Sequence, residues 1–200
     1  MSDATSRCAH SRRRTLQILF AHVLRLIPFR PALGDLQLAA GGATDWQIVR
    51  SAGASGVDRH AASTLADYLQ QMTAASFPVV EPKGMKANGP SIFVGLSEPA
   101  LRRLDDDPLA ALQDQEHVAR SIESDIFLYG HGVHGNLHAV LEFLENSLGW
   151  RWYSVYEPPV IPEMQMLKLA PFQRTRSFSF PCREVALRYG SDFYLQNGLN

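Results

Sequence analysis

Four groups of residues have the types and spacing that chemistry needs. Gly130-His131-Gly132-Val133-His134-Gly135 fits G-x-G-x-x-G, with Glu157 further along; in a dinucleotide fold such a turn offers backbone amides to a pyrophosphate, and the later acid binds the ribose. His131, His134 and His138 recur at steps that set imidazoles on one helix face, as a metal would require. Glu142 and Glu145 are paired carboxylates, the groups that perform glycoside hydrolysis. Trp150, Trp152 and Tyr153, with Arg151 between them, offer aromatic faces of the kind that stack on sugar rings.

The same residues carry a structural reading, and the sequence favours it in each case. The strand before the glycines reads as the second arm of a hairpin, whereas a dinucleotide crevice needs parallel βαβ units. A glycine turn between a strand and a packed helix is then expected, with nucleotide binding as the alternative. No Asp, Glu or Cys lies among the three histidines and His131 precedes the helix, so no metal site is expected. Glu142 and Glu145 share one helix instead of facing each other across a cleft, and strand alternation would bury part of the aromatic string. Asp105-Asp106-Asp107 lacks the alternating ligands of a calcium loop. There is no G-x-S-x-G, and Cys8 and Cys182 have no Cys or His at metal spacing; this excludes a zinc ribbon and a disulfide framework. No catalytic residue and no cofactor are expected from these motifs.

The elements that would position these groups follow from periodicity. Leu36–Ala40 and Trp46–Ser51 flank a Gly-Gly turn and read as an opening hairpin. From Asp58, Ala61, Ala62, Leu65, Tyr68, Leu69 and Met72 form the stripe of an amphipathic helix. Phe77–Glu81 and Ile92–Gly95 supply strands around a loop rich in Pro, Gly and Lys. Leu101 and Leu104 suit a helical turn. His117–Glu123 and Ile126–Tyr129 lie two residues apart and read as a tight antiparallel hairpin. Asn136 can cap a second helix carrying Leu137, Val140, Leu141, Leu144 and Leu148, ended by Gly149; Trp152, Tyr153 and Val155 then suggest a last strand. The expected architecture is α+β: a two-layer sandwich of a mixed or mostly antiparallel sheet with two main helices on one face, spanning residues 35–165.

Composition bounds the rest. Two hundred residues with 46% apolar side chains can bury a core. Nowhere do 18 apolar residues run together, so no membrane span is expected. Residues 1–34 hold six Arg and one Asp, leaving 13 basic against 19 acidic residues, an acidic body unsuited to nucleic acid. Arg12-Arg13-Arg14, the apolar stretch Leu16–Leu24 and Ala32-Leu33-Gly34 have the layout of a secretory signal, which would make the protein secreted or periplasmic; Arg25, Arg30 and His22 favour a disordered tail. On either reading residues 1–34 stand outside the fold.

Several segments occur in one order: Ala61–Thr73, Ile92-Phe93-Val94-Gly95, Gly135–Glu145, Leu148–Tyr153 and Ile161-Pro162. Together they resemble the N-terminal domain of α-glucuronidase-like glycoside hydrolases, a domain similar to domain 2 of β-hexosaminidases, as found in large bacterial proteins where it precedes a (β/α)8 barrel. Phe180-Pro181-Cys182-Arg183-Glu184 and Phe193–Asn200 resemble the entry to that barrel, with Cys182 in place of an aromatic and Gly198 in place of an Arg. The resemblance implies a carbohydrate-active hydrolase of which this chain is the non-catalytic accessory domain, residues 166–200 being a linker and the start of a truncated barrel. Catalytic carboxylates in such enzymes come from later barrel strands. Arg183 matches an Arg that holds sugar hydroxyls in the related hexosaminidases, a substrate contact implied by the resemblance alone. Carbohydrate would then be met through the barrel, without cofactor or metal. The stand-alone alternatives are a nucleotide-binding module built on Gly130–Gly135 and an interaction domain.

Overall fold

The computed structural model describes residues 34–104, 108–110, 112–153 and 157–178. Three strands with apolar residues on both faces form the centre of the fold: β2 (Gln47–Arg50), β4 (Ser91–Val94) and β6 (Asp125–Gly130). They lie parallel, with Ile48, Ile92 and Ile126 in one row and Val49, Phe93 and Phe127 in the next. The first row belongs to the larger core and the second to a smaller core on the opposite face. Continuous burial of this kind is what central parallel strands show, in place of the alternation of a one-sided sheet.

The six-stranded sheet is completed by β3 (Val79–Val80), parallel to β2, and by β5 (His117–Ile122) and β8 (Gln173–Arg176), both antiparallel, in the order β3-β2-β4-β6-β5-β8. A separate two-stranded ribbon pairs β1 (Leu36–Ala40) with β7 (Met166–Leu169). The larger core is covered by two helices on one face: α1 (Gly56–Thr73), which lies on β2, and α3 (Gly135–Asn146), which lies on β5 and β6 and packs against α1. Among the described residues the opposite face carries the four-residue α2 (Glu98–Leu101) and loops, through Ala100 and Leu104. The molecule is thus α+β with a mixed sheet and its two long helices on one side.

Local chemistry explains both helices. Ser55 and Asp58 form a capping box that satisfies two amides at the start of α1, and Ala61, Ala62, Leu65, Leu69 and Met72 bury its stripe. Helix α3 ends at Asn146; Gly149, at φ +81, lets the chain turn back so that the Trp150 N–H donates to the Leu144 carbonyl. The hairpin β5–β6 forms as expected, but its two-residue turn falls one position earlier than Ser124-Asp125, at Glu123 and Ser124, with Asp125 already in β6.

Three expectations are corrected. The opening hairpin does not form: β1 pairs with β7, while β2 enters the other sheet, because Ile48 and Val49 need neighbours covering both faces and an edge hairpin would leave one open. The corner between β1 and β2 is held instead by the Trp46 indole N–H, which donates to the Gln37 carbonyl at 2.8 Å. No strand forms at Trp152–Tyr153; Arg151 makes an isolated bridge to Val160, Trp150 is buried against Tyr68 with ring centroids 4.2 Å apart, and Tyr153 is exposed. Residues 166–176, read from sequence as linker with at most a short strand near Met166–Leu169, supply both β7, at that place, and β8. Phe172 stacks on Phe143, and its backbone exchanges hydrogen bonds with Ser121.

Candidate functional site

The carboxyl ends of β2, β4 and β6 lie together. In open sheets with parallel strands this is the end where ligands bind, at the point where connections leave in opposite directions. Here β2 leads through α1 to β3 on one side, and β4 leads toward β6 on the other. The corner is organised by Asn136. Its Oδ1 accepts from the Gly130 N–H at 3.1 Å, at the end of β6, and its Nδ2 donates to Asp58 Oδ1 at 2.8 Å, at the start of α1. Gly95, ending β4 at φ +77, passes so close that a Cβ there would stand 3.0 Å from Asn136 Nδ2. One side chain therefore ties the starts of α1 and α3 to the end of β6, with the end of β4 packed against it.

This arrangement differs from the expected role of Asn136 as a cap. The N-cap position of α3 is His134, which makes no side-chain capping bond, and Asn136 sits inside the first turn. The partners it binds lie 6 and 78 residues away.

The glycines of the G-x-G-x-x-G turn are occupied by the turn's own packing. A Cβ on Gly130 would lie 2.5 Å from the Gly135 carbonyl oxygen, and one on Gly135 would lie 2.5 Å from the Gly130 carbonyl carbon. Gly132 adopts φ +82 against Asp114. In a dinucleotide site such glycines instead make room for the pyrophosphate. At the start of α1 the Asp58 carboxylate already occupies the place an anion would take. After α3 the chain enters β7, in the ribbon, and then β8, antiparallel at the sheet edge, so among the described residues no further parallel strand completes a nucleotide crevice.

Two of the three histidines stay together, His134 and His138 with ring centroids 6.1 Å apart. His131 is exposed, with Nδ1 3.6 Å from Asp114 Oδ1. His138 is buried beside His117 and Phe178, ring centroids 5.9 and 4.9 Å away. No group of three metal-ligating side chains converges among the described residues. Glu142 and Glu145 also separate in role. Glu142 is buried, 3.3 Å from Arg176 Nε, and accepts from Asn146 Nδ2 at 2.8 Å; Glu145 is half-buried one turn on. Neither faces another carboxylate of the described residues across a cleft. Arg183, Glu184, Cys8, Cys182 and Asp105–Asp107 lie outside the described residues.

Sequence reasoning missed two features. Asp58 was legible as the acid of the capping box Ser55-Gly56-Val57-Asp58 preceding the apolar stripe. At the other end of the parallel strands, Asp125 accepts from the Ser91 N–H at 2.8 Å and lies 3.2 Å from Arg103 Nε. Burial pushes its carboxyl above the ordinary value. The Ser91 hydrogen bond and the Arg103 charge act against that shift, and Glu123 adds to it. The Arg103 guanidinium also sits over Phe93, 5.0 Å from the ring centre. An isolated Asp after a turn carries no sequence signal for this role. A cleft of about 980 Å³ opens at the opposite end of α1 from Asn136, between Gln71–Ala74, Gly41-Gly42 and Glu163–Met166; none of the residues whose spacing suggested chemistry lines it.

No family model and no curated protein matches the chain. Among solved structures it is similar to a family GH115 4-O-methyl-α-glucuronidase with specificity for decorated arabinogalactans, at TM-score 0.53 and 19% identity over 74% of this chain. The likeness is one of fold, and this chain spans 19% of that enzyme's length. A GH138 enzyme targeting pectin rhamnogalacturonan II is matched at TM-score 0.32 and 14% identity, over 57% of this chain and 11% of that one.

Proposed function

We propose that the chain is a non-catalytic accessory domain of a glycoside-hydrolase-like protein, whose sugar chemistry is done by a barrel outside these residues. The observation that carries the reading is the fold likeness to a minor part of an α-glucuronidase. The order of sequence segments that resembles the N-terminal domain of such enzymes supports it independently. The site geometry agrees: two-carboxylate hydrolysis needs an acid and a second carboxylate set several ångströms apart across the sugar, whereas Glu142 is engaged by Arg176 and Asn146. Arg183 is proposed as a sugar contact at the entry to the barrel. Export is proposed from the Arg12–Leu24 pattern, and N-terminal sequencing of the mature protein would test it.

The chain alone should release no aryl alcohol from aryl glucuronides or aryl hexosaminides. Measurable release that disappears on Glu145→Gln would sink the accessory reading and move catalysis to α3. Sequencing the genomic DNA beyond the codon for Asn200 should reveal barrel-encoding sequence. The nucleotide alternative predicts heat on titration with NAD; the packed glycines predict none.

A further inference from the structure

We propose that Asn88 is a deamidation site, converted to aspartyl and isoaspartyl forms in the folded protein. The turn before β4 is pinned at both ends and open at its tip. Gln47 holds Lys86 from two directions, Nε2 donating to the Lys86 carbonyl and Oε1 accepting the Lys86 N–H, each at 3.0 Å. Ser91 Oγ donates to the Gly89 carbonyl at 3.2 Å. Between these anchors Asn88 is exposed in a turn, and neither its side chain nor the Gly89 N–H makes a hydrogen bond among the described residues. Gly89 has no Cβ to obstruct approach of its nitrogen to the Asn88 side chain.

The step balances without any helper but water. The deprotonated Gly89 backbone nitrogen attacks Asn88 Cγ, the C–N bond of the side-chain amide breaks, and ammonia leaves with a proton, closing a succinimide. Water then opens the ring at either carbonyl. One opening restores the backbone as aspartate; the other routes the chain through the side chain and adds a methylene to the turn. Each product carries a carboxylate where an amide stood, beside Lys86. The other described asparagines are guarded. Asn136 and Asn146 lie in α3, where helical geometry directs the next amide nitrogen away from the side chain, and both side chains are hydrogen-bonded, to Gly130 and Asp58 and to Glu142.

The test is incubation of the full chain at mildly alkaline pH, followed by peptide mapping and isoaspartyl methyltransferase labelling. The peptide holding Asn88 should gain one mass unit and split into two new species, with peptides holding Asn136 and Asn146 unchanged. The Gly89→Ala variant should lose most of that shift. Its methyl would meet Lys86 Cβ at 3.6 Å and the Asp45 carbonyl oxygen and Gln47 Nε2 at 3.8 Å each, all ordinary contacts, and Gly89 does not occupy the left-handed region, so the variant folds, as circular dichroism would verify. Conversion at Asn136 or Asn146 as fast as at Asn88, an unchanged rate in Gly89→Ala, or an inert Asn88 while Asn197-Gly198 converts in the same sample would each overturn the proposal.

Discussion

Asn136 Nδ2 lies 2.8 Å from Asp58 Oδ1, so a residue in the first turn of α3 is bound to the capping acid of α1 across 78 positions of sequence. The same amide accepts from Gly130, and the pair thereby fixes the corner where β4 and β6 end. Asn136→Ala removes both bonds and leaves the Gly130 N–H without its acceptor. A loss of about 2 to 3 kcal/mol is expected, from two net hydrogen bonds and one orphaned donor. In urea titrations it should appear as a lower midpoint with an unchanged slope. Asn136→Asp should be worse than Ala at neutral pH, since it sets two carboxylates together. An Asp variant as stable as the parent at neutral pH would show that this contact does not organise the corner.

The three turn glycines should rank by what their missing Cβ would meet. Gly130→Ala and Gly135→Ala drive a methyl into backbone, which cannot swing aside, and each should cost about 1 to 3 kcal/mol or more. Gly132→Ala meets an exposed Asp114 carboxylate, which can move, and retains a left-handed backbone worth about 1 to 2 kcal/mol. Adding Asp114→Ser to Gly132→Ala should relieve the contact and leave the backbone cost. Thermal melts of the four variants would read this order directly.

Asp125 should give the fold an unusual acid dependence. Its carboxyl is raised above 3.8 chiefly by burial, so the folded state holds the proton more tightly than the unfolded chain. The stability this group contributes is fully present below 3.8 and is lost as pH rises through the folded value. Asp125→Asn keeps an acceptor for the Ser91 N–H and removes the titration. The difference in unfolding free energy, parent minus variant, should therefore fall as pH rises from about 3 to about 6. A difference that increases over that range would mean that Arg103 outweighs burial.

Removing residues 172–200 should destabilise the domain. The deletion takes away β8, the stack of Phe172 on Phe143 and the two backbone bonds with Ser121; it also strips Arg176 from the buried Glu142. An aromatic pair at about 1 kcal/mol and several hydrogen bonds at about 1 kcal/mol each give roughly 3 to 5 kcal/mol. For a domain of this size that is on the order of 10 °C in Tm. An unchanged melting temperature would restore the linker reading of this segment.

The residues show unevenly what the sequence by itself determines. The stripe Ala61–Met72, the stripe Leu137–Leu144, the β5–β6 hairpin and the reversal at Gly149 are all readable, because each is fixed by contacts or dihedral demands within a few residues. The nearness of His134 and His138 is readable too, since residues four apart face the same side of a helix. Strand partnership is a different kind of fact. A four-residue strand such as Gln47–Arg50, buried on both faces, has no periodicity to name its neighbours, and only the assembled sheet put it between β3 and β4 while β1 went to β7. The roles of Asn136, of Gly130 against Gly135 and of Asp125 with Arg103 were likewise decided in three dimensions. Each depends on a partner brought near by the packing of helices on strands, and a side chain's hydrogen-bond partner across tens of residues leaves no trace in local spacing.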